Sequence, residues 1–416
     1  MTTDTPNDTP NDTPNDTPND APSDAALDGA EILRRARELA PVLRKRAAEI
    51  EDNRTLPADV VELLRATGVF RIGHGPGTGG PGLTSVEQLE VVEALAYGDA
   101  SAGWCAGIGA MGGAITNFLT PEATRALYTG PDLITAGSLV PAGRAERVPG
   151  GYLLSGHWPF GSGVRHADLL TSGAFVYQDG EPWAAPDSPH DHDSMQFVVR
   201  ASEAEPVDNW ETTGLCGTGS SDYVLNDVFV PEGHTFSFFE PRVAPNPMAW
   251  SDSFMRALPG VPLGIARAAL DHAREVAGTR YDRMAGRSWA DSWRVQTELA
   301  RCEAEFNAAR EGVYAATRRQ WEVLAAGGTL DDLSLTERGA VPLSGLHAVH
   351  VARSVVNRLY DLLQTWSINH DSPMDRWLRD TAVLSQGQIG HDVVLESVGA
   401  YLLGRPPKVR IGLGIH

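Results

Sequence analysis

Between Gly150 and Ser172 the chain reads GGYLLSGHWPFGSGVRHADLLTS, and this stretch holds the residue types best suited to chemistry. Trp158 and Phe160 are large flat side chains. Phe160-Gly161-Ser162-Gly163 is a small-residue corner. Glycine lets a backbone approach a flat ligand closely, and a serine there offers one donor and two acceptor sites. Such a corner can hold a planar heterocycle by its face and its polar edge. The same residues also read as a β-hairpin corner whose Trp is core. A second hydroxyl cluster, Thr218 and Ser220, sits in a Gly-Thr-Gly-Ser turn.

Other candidates are weaker. The loop 73–82 (GHGPGTGGPG) lacks the Lys-Ser/Thr ending of a phosphate-binding loop. His190 and His192 alternate with aspartates in 178–194; a metal site is conceivable there, but solvated loop residues fit better. The three cysteines, Cys105, Cys216 and Cys302, have no zinc spacing and no even count for a disulfide framework. A reducing cytoplasm is the expected setting.

These residues need elements to position them. The 416 residues carry a formal net charge of −20, which argues against nucleic acid or an anionic membrane as the main partner. No run of about 18 apolar residues implies a span. Residues 1–26, built on four Thr-Pro-Asn-Asp copies, read as a disordered tail. Apolar periodicity predicts helices over 27–53, 58–67, 85–97, 101–118 and 121–128. From 133 to 239, short runs rich in Val, Leu, Tyr and Phe, broken by Gly and Pro, predict an antiparallel barrel or sandwich. Long periodic stretches over 263–280, 292–325, 346–363 and 375–403 predict a bundle. The fold class is therefore α+β: tail 1–26, helical domain 27–131, β-barrel 132–245 and helical bundle 246–416.

That order resembles the acyl-CoA dehydrogenase superfamily, and specifically its two-component flavin-dependent monooxygenases. The carrying residues are Arg54-Thr55-Leu56-Pro57 with Gly68-Val69-Phe70-Arg71, then Ser101-Ala102-Gly103-Trp104, then Gly137 to Gly143 (GSLVPAG). Ser155 to Gly163 (SGHWPFGSG) with His166-Ala167-Asp168 is the strongest match. Trp210, Gly214 to Ser220 (GLCGTGS), Val228 to Pro231 (VFVP) and Trp377-Leu378-Arg379-Asp380 complete it.

The resemblance implies a reduced FMN or FAD supplied by a separate flavin reductase, dioxygen, and oxygenation of a small organic substrate through a flavin C4a-hydroperoxide. It implies a homotetramer. It implies Ser162 beside flavin N5, Ser138 at the ring edge, and Trp158 and Phe160 as walls. Thr218 and Ser220 are candidates for the phosphates; Arg280 and Arg283 are weaker ones, and exposed helix arginines are the better reading of that pair. The family's histidine falls on Gly387 here, so Gln386 or His391 would take its role if the helix breaks at Gly387 and Gly390. His391-Asp392 could equally be a surface pair. A dehydrogenase or oxidase acting on an acyl thioester would need a glutamate base, and Glu396 stands in no turn of the expected type. A non-catalytic binding subunit is the third reading.

Overall fold

The computed structural model describes Met1 and residues 27–186, 188 and 191–415. The repeat tail lies outside the described residues, as does His190.

Six helices come first: α1 (Gly29–Asn53), α2 (Ala58–Thr67), α3 (Ser85–Gly98), α4 (Ala100–Gly109), α5 (Met111–Ile115) and α6 (Pro121–Leu127). Asp28 caps α1 by accepting from the Glu31 N–H at 2.8 Å, and Ile32, Ala36, Leu39, Leu43 and Ile50 form its buried stripe. Thr84 and Glu87 form a capping box on α3. The single helix expected over 101–118 is two, kinked at Ala110, where Gly109, Gly112 and Gly113 weaken helix continuity.

The β strands follow: β1 (Thr135–Val148), β2 (Gly151–Trp158), β3 (Leu169–Gln178), β4 (Glu181–Pro182), β5 (Ser194–Arg200), β6 (Glu205–Pro206), β7 (Tyr223–Pro231) and β8 (Thr235–Phe236). Their order is β6-β7-β2-β1-β3-β5-β8, with β4 on β3. The sheet corrects the expected antiparallel barrel in two ways. It is open, ending on the two-residue strands β6 and β8, and β1 runs parallel to β3. The reason is the crossover 159–168. It leaves β2, passes the start of β1, and delivers β3 on the other side of that strand. Asp168 and Leu169 N–H groups both donate to the Ile134 carbonyl there, at 2.9 and 3.1 Å. The Ser162 corner lies within this crossover.

The C-terminal part has α7 (Gly260–Thr279), α8 (Trp293–Ala325), α9 (Leu335–Leu363), α10 (Met374–Leu384) and α11 (Val393–Leu402). One large apolar cluster spans the N-terminal helices and this bundle, and a second fills the sheet. The helix expected over 375–403 breaks. Gly387 is extended, Gln388–Gly390 makes one 3-10 turn, and His391 is extended again before α11.

Candidate active site

Ser162 is the centre of a hydroxyl chain. The Trp104 Nε1–H donates to Ser162 Oγ at 3.0 Å. Ser162 Oγ lies 2.7 Å from Ser220 Oγ, and Ser220 Oγ lies 2.7 Å from Thr218 Oγ1. Thr218 Oγ1 donates to the Leu215 carbonyl at 2.7 Å. The backbone locks the two loops together: Gly163 N–H donates to Thr218 O at 2.9 Å, and Gly161 N–H to Ser221 O at 3.0 Å.

The 214–220 turn is in turn fixed by α10. Asp380 Oδ1 accepts the Leu215 N–H at 2.7 Å, which holds Leu215 in a left-handed conformation, φ 49°. Arg379 ion-pairs with Glu51 of α1 and donates to the Thr213 carbonyl; Arg376 donates to the same glutamate at 2.9 Å. The Arg-Asp pair is thus a clamp between three parts of the chain. Burial pushes Asp380 up to about 7, against the Leu215 N–H bond and helped by the neighbouring Asp99. Burial also raises Asp99, the N-cap of α4, to about 6.

Phe160 is 69 % exposed and sits at φ 61°, edge-on to Trp210. On α4 only Trp104 and Ile108, four residues apart, escape full burial. Ser138 is 8 % exposed, and its N–H donates to the Tyr223 hydroxyl at 3.3 Å. Beyond Ser138 the β1–β3 pairing is interrupted until Gly143, and Val140 in that gap is 59 % exposed. The open Phe160 ring beside the Ser162 hydroxyl, which keeps one valence, offers the apolar face and polar edge that a flat heterocycle such as a flavin requires, so the residues fit that group.

Three expectations are corrected. Trp158 is no wall. It is fully buried, stacked on Tyr223 at 5.4 Å, with Nε1–H donating to the Gly173 carbonyl at 2.7 Å. A Cβ on Gly143 or Gly156 would stand 2.2 or 2.8 Å from its ring, so those glycines form its slot. Thr218 and Ser220 are 1 % and 5 % exposed with both hydroxyls committed to the chain above, which leaves them unsuited to phosphates. Arg280 stacks on Trp289 at 3.5 Å and donates to the Leu363 carbonyl, so its guanidinium serves the bundle.

Gln386 and His391 are exposed on the broken segment. His391 Nδ1 accepts the Val393 N–H at 3.2 Å. Glu396 is exposed on α11 and paired with Lys408 at 3.4 Å, not buried as a proton-abstracting base would be. His192 packs on Phe175 and bonds the Val176 carbonyl, and no group of three or more metal-type ligands occurs among the described residues. Sequence reasoning placed Trp104 in a buried helix and missed its contact with Ser162. The signal was present: one tryptophan in a helix built mostly of Ala, Gly and Ser.

Comparison with known proteins follows the same lines. Residues 30–129 match the family model for the acyl-CoA dehydrogenase N-terminal domain, and 257–389 that for the C-terminal domain. The chain is 30 % identical over 375 residues to indole-3-acetate monooxygenase of Pseudomonas putida, covering 88 % of this chain and 91 % of the relative. It is 27 % identical over 394 residues to the oxygenase component of an FADH2-dependent resorcinol hydroxylase from Rhizobium, covering 89 % and 93 %. The solved structure of XiaF from Streptomyces, in complex with FADH2 and glycerol, superposes with a TM-score of 0.83 at 24 % identity, covering 92 % of this chain and 97 % of that one. The chain belongs to the acyl-CoA dehydrogenase family, in its branch of flavin-dependent monooxygenase oxygenase components.

Proposed function

We propose that this protein is the oxygenase component of a two-component aromatic monooxygenase, taking reduced FMN or FAD from a flavin reductase and inserting one oxygen atom of O2 into a small aromatic substrate. When bound, reduced flavin supplies the two electrons that activate dioxygen. The chain's own residues bind, orient and exclude water. The observation that carries the reading is Ser162, held by Trp104 and Ser220 with one valence uncommitted beside the exposed ring of Phe160. Ser162 would hold the flavin at its N5 side, Ser138 at the ring edge, and Phe160 against a face. Trp104 and Ile108 supply apolar surface that keeps water from the reacting atoms.

Opposite them we place the broken segment 386–391. His391 accepts at Nδ1, so the neutral ring carries its hydrogen on Nε2 and can donate there. Gln386 offers a second amide donor. The glutamate that a dehydrogenase needs is not supported by exposed, ion-paired Glu396.

A homotetramer belongs to the same reading. Trp293, Ile368, Leu395, Leu402 and Leu403 leave apolar surface exposed on the bundle, which association would cover. No described helix is long and apolar enough to cross a membrane. A cytoplasmic setting is supported by the three free thiols and by the need for a reductase.

The test is anaerobic loading with reduced FMN or FAD, then oxygen, with phenolic and indolic substrates. Hydroxylated product in near-stoichiometric yield with flavin is expected. Release of all electrons as hydrogen peroxide with every aromatic tried refutes the proposal. Ser162→Ala is expected to divert most electrons to peroxide.

A further inference from the structure

The hydroxyl chain has a direction, and the direction has a consequence for Ser162. Each hydroxyl has one hydrogen to give and two lone pairs. At one end the indole N–H of Trp104 can only donate. At the other end the Leu215 carbonyl can only accept, and it lies 2.7 Å from Thr218 Oγ1. Two oxygens at that distance need a hydrogen between them. The Thr218 hydrogen is therefore spent on Leu215. Thr218 can then only accept from Ser220, at 2.7 Å. Ser220, its hydrogen spent, can only accept from Ser162, also at 2.7 Å. The order is Trp104 N–H to Ser162, Ser162 O–H to Ser220, Ser220 O–H to Thr218, and Thr218 O–H to Leu215. Ser162 has given its hydrogen away and has one lone pair taken by Trp104. The only valence it keeps for a ligand is an acceptor.

We propose that the Trp104–Ser162–Ser220–Thr218–Leu215 chain makes Ser162 a one-way acceptor and so selects reduced over oxidised flavin. This rests on the placement of Ser162 at flavin N5 argued above. Reduced flavin carries a hydrogen on N5 and matches an acceptor. Oxidised flavin carries a lone pair there and faces another lone pair. To bind it, Ser162 must turn its hydrogen away from Ser220 and leave that oxygen without its donor, which costs about one hydrogen bond. The site thereby takes up flavin in the state a reductase delivers and lets go of it once oxidised. Ser220 and Thr218 are positioning residues in this account: buried, with their hydroxyls committed to the chain, and acting through Ser162.

Anaerobic titration with reduced FMN and aerobic titration with oxidised FMN, read by flavin fluorescence and calorimetry, test this without turnover. The wild-type protein, Ser162→Ala, Ser220→Ala and Thr218→Val are compared after circular dichroism has confirmed folding. The wild-type protein is expected to prefer reduced FMN. Ser220→Ala frees the Ser162 hydrogen, and Thr218→Val frees that of Ser220 to point at Ser162. Both are expected to tighten oxidised FMN and narrow the preference by roughly tenfold, the worth of one hydrogen bond. Ser162→Ala is expected to narrow it from the other side, by weakening reduced FMN. If Ser162→Ala narrows the preference while Ser220→Ala and Thr218→Val leave it unchanged, the chain's direction plays no part and the proposal is overturned, with Ser162 still at N5. If Ser162→Ala alters neither affinity, the placement of Ser162 itself is wrong and the proposal falls with it. Should Ser220→Ala not fold, Thr218→Val decides alone.

Discussion

Trp158→Phe separates a core role from a ligand role in one substitution. The indole fills a slot between Gly143, Gly156 and Tyr223 and has no exposed surface. Phenylalanine is smaller by roughly 40 Å3, and at about 24 cal/mol per Å3 of unfilled space this costs about 1 kcal/mol. The bond from Nε1–H to the Gly173 carbonyl, 2.7 Å long, is lost as well. That is about another 1 kcal/mol, because the carbonyl stays buried. The total is about 2 kcal/mol. With a slope of about 2–3 kcal/mol per molar, the urea midpoint falls by on the order of 0.7–1 M. Tryptophan fluorescence and circular dichroism follow unfolding, and anaerobic titration follows reduced flavin. The expected result is a lower midpoint with flavin affinity unchanged within about twofold. A midpoint that stays put while flavin affinity falls tenfold would refute the reasoning, because the ring would then face the ligand.

Phe160→Ala is the mirror case: the side chain is 69 % exposed, so stability should hold within about 0.5 kcal/mol while reduced-flavin affinity drops by roughly tenfold. An unchanged affinity would remove Phe160 from the site. Gly143→Ala puts a Cβ 2.2 Å from the Trp158 ring, and soluble folded yield should be lost; a well-folded variant would contradict the slot. Stability should also depend on pH through Asp380. Its folded value is raised to about 7 from a free carboxyl near 4, so between those values the native state holds a proton the unfolded chain has released. Stability therefore falls as pH rises through that window. Asp380→Asn keeps an acceptor for the Leu215 N–H without the titration, and its urea midpoint should drop less between pH 5 and pH 8 than the wild type's. An equal drop would show that Asp380 is not the source.

Much of this architecture was legible in the chain itself because its signals are local. The stripe Ile32–Ile50 needs only its own period to declare a helix, and the short Gly-bounded runs after Leu133 need only theirs to declare strands. Gly387 and Gly390 marked a possible break in the last helix, and the break is there. Ser162 stood out because the glycines on both sides let a ligand approach its hydroxyl closely.

What the chain could not disclose depends on partners far away in sequence. Whether Trp158 faces a ligand or a core is decided by Gly143, Gly173 and Tyr223, on three other strands. Whether Thr218 and Ser220 hold phosphates or a serine is decided by the loop 159–168 closing on them. The parallel pairing of β1 with β3 follows from the path of that same crossover. Sequence alone determined the residue types: hydroxyls, indole and glycines in a given order. Only the tertiary structure decided their direction, since a hydroxyl becomes donor or acceptor through what lies across from it, and Trp104, 58 residues before Ser162, is what lies across.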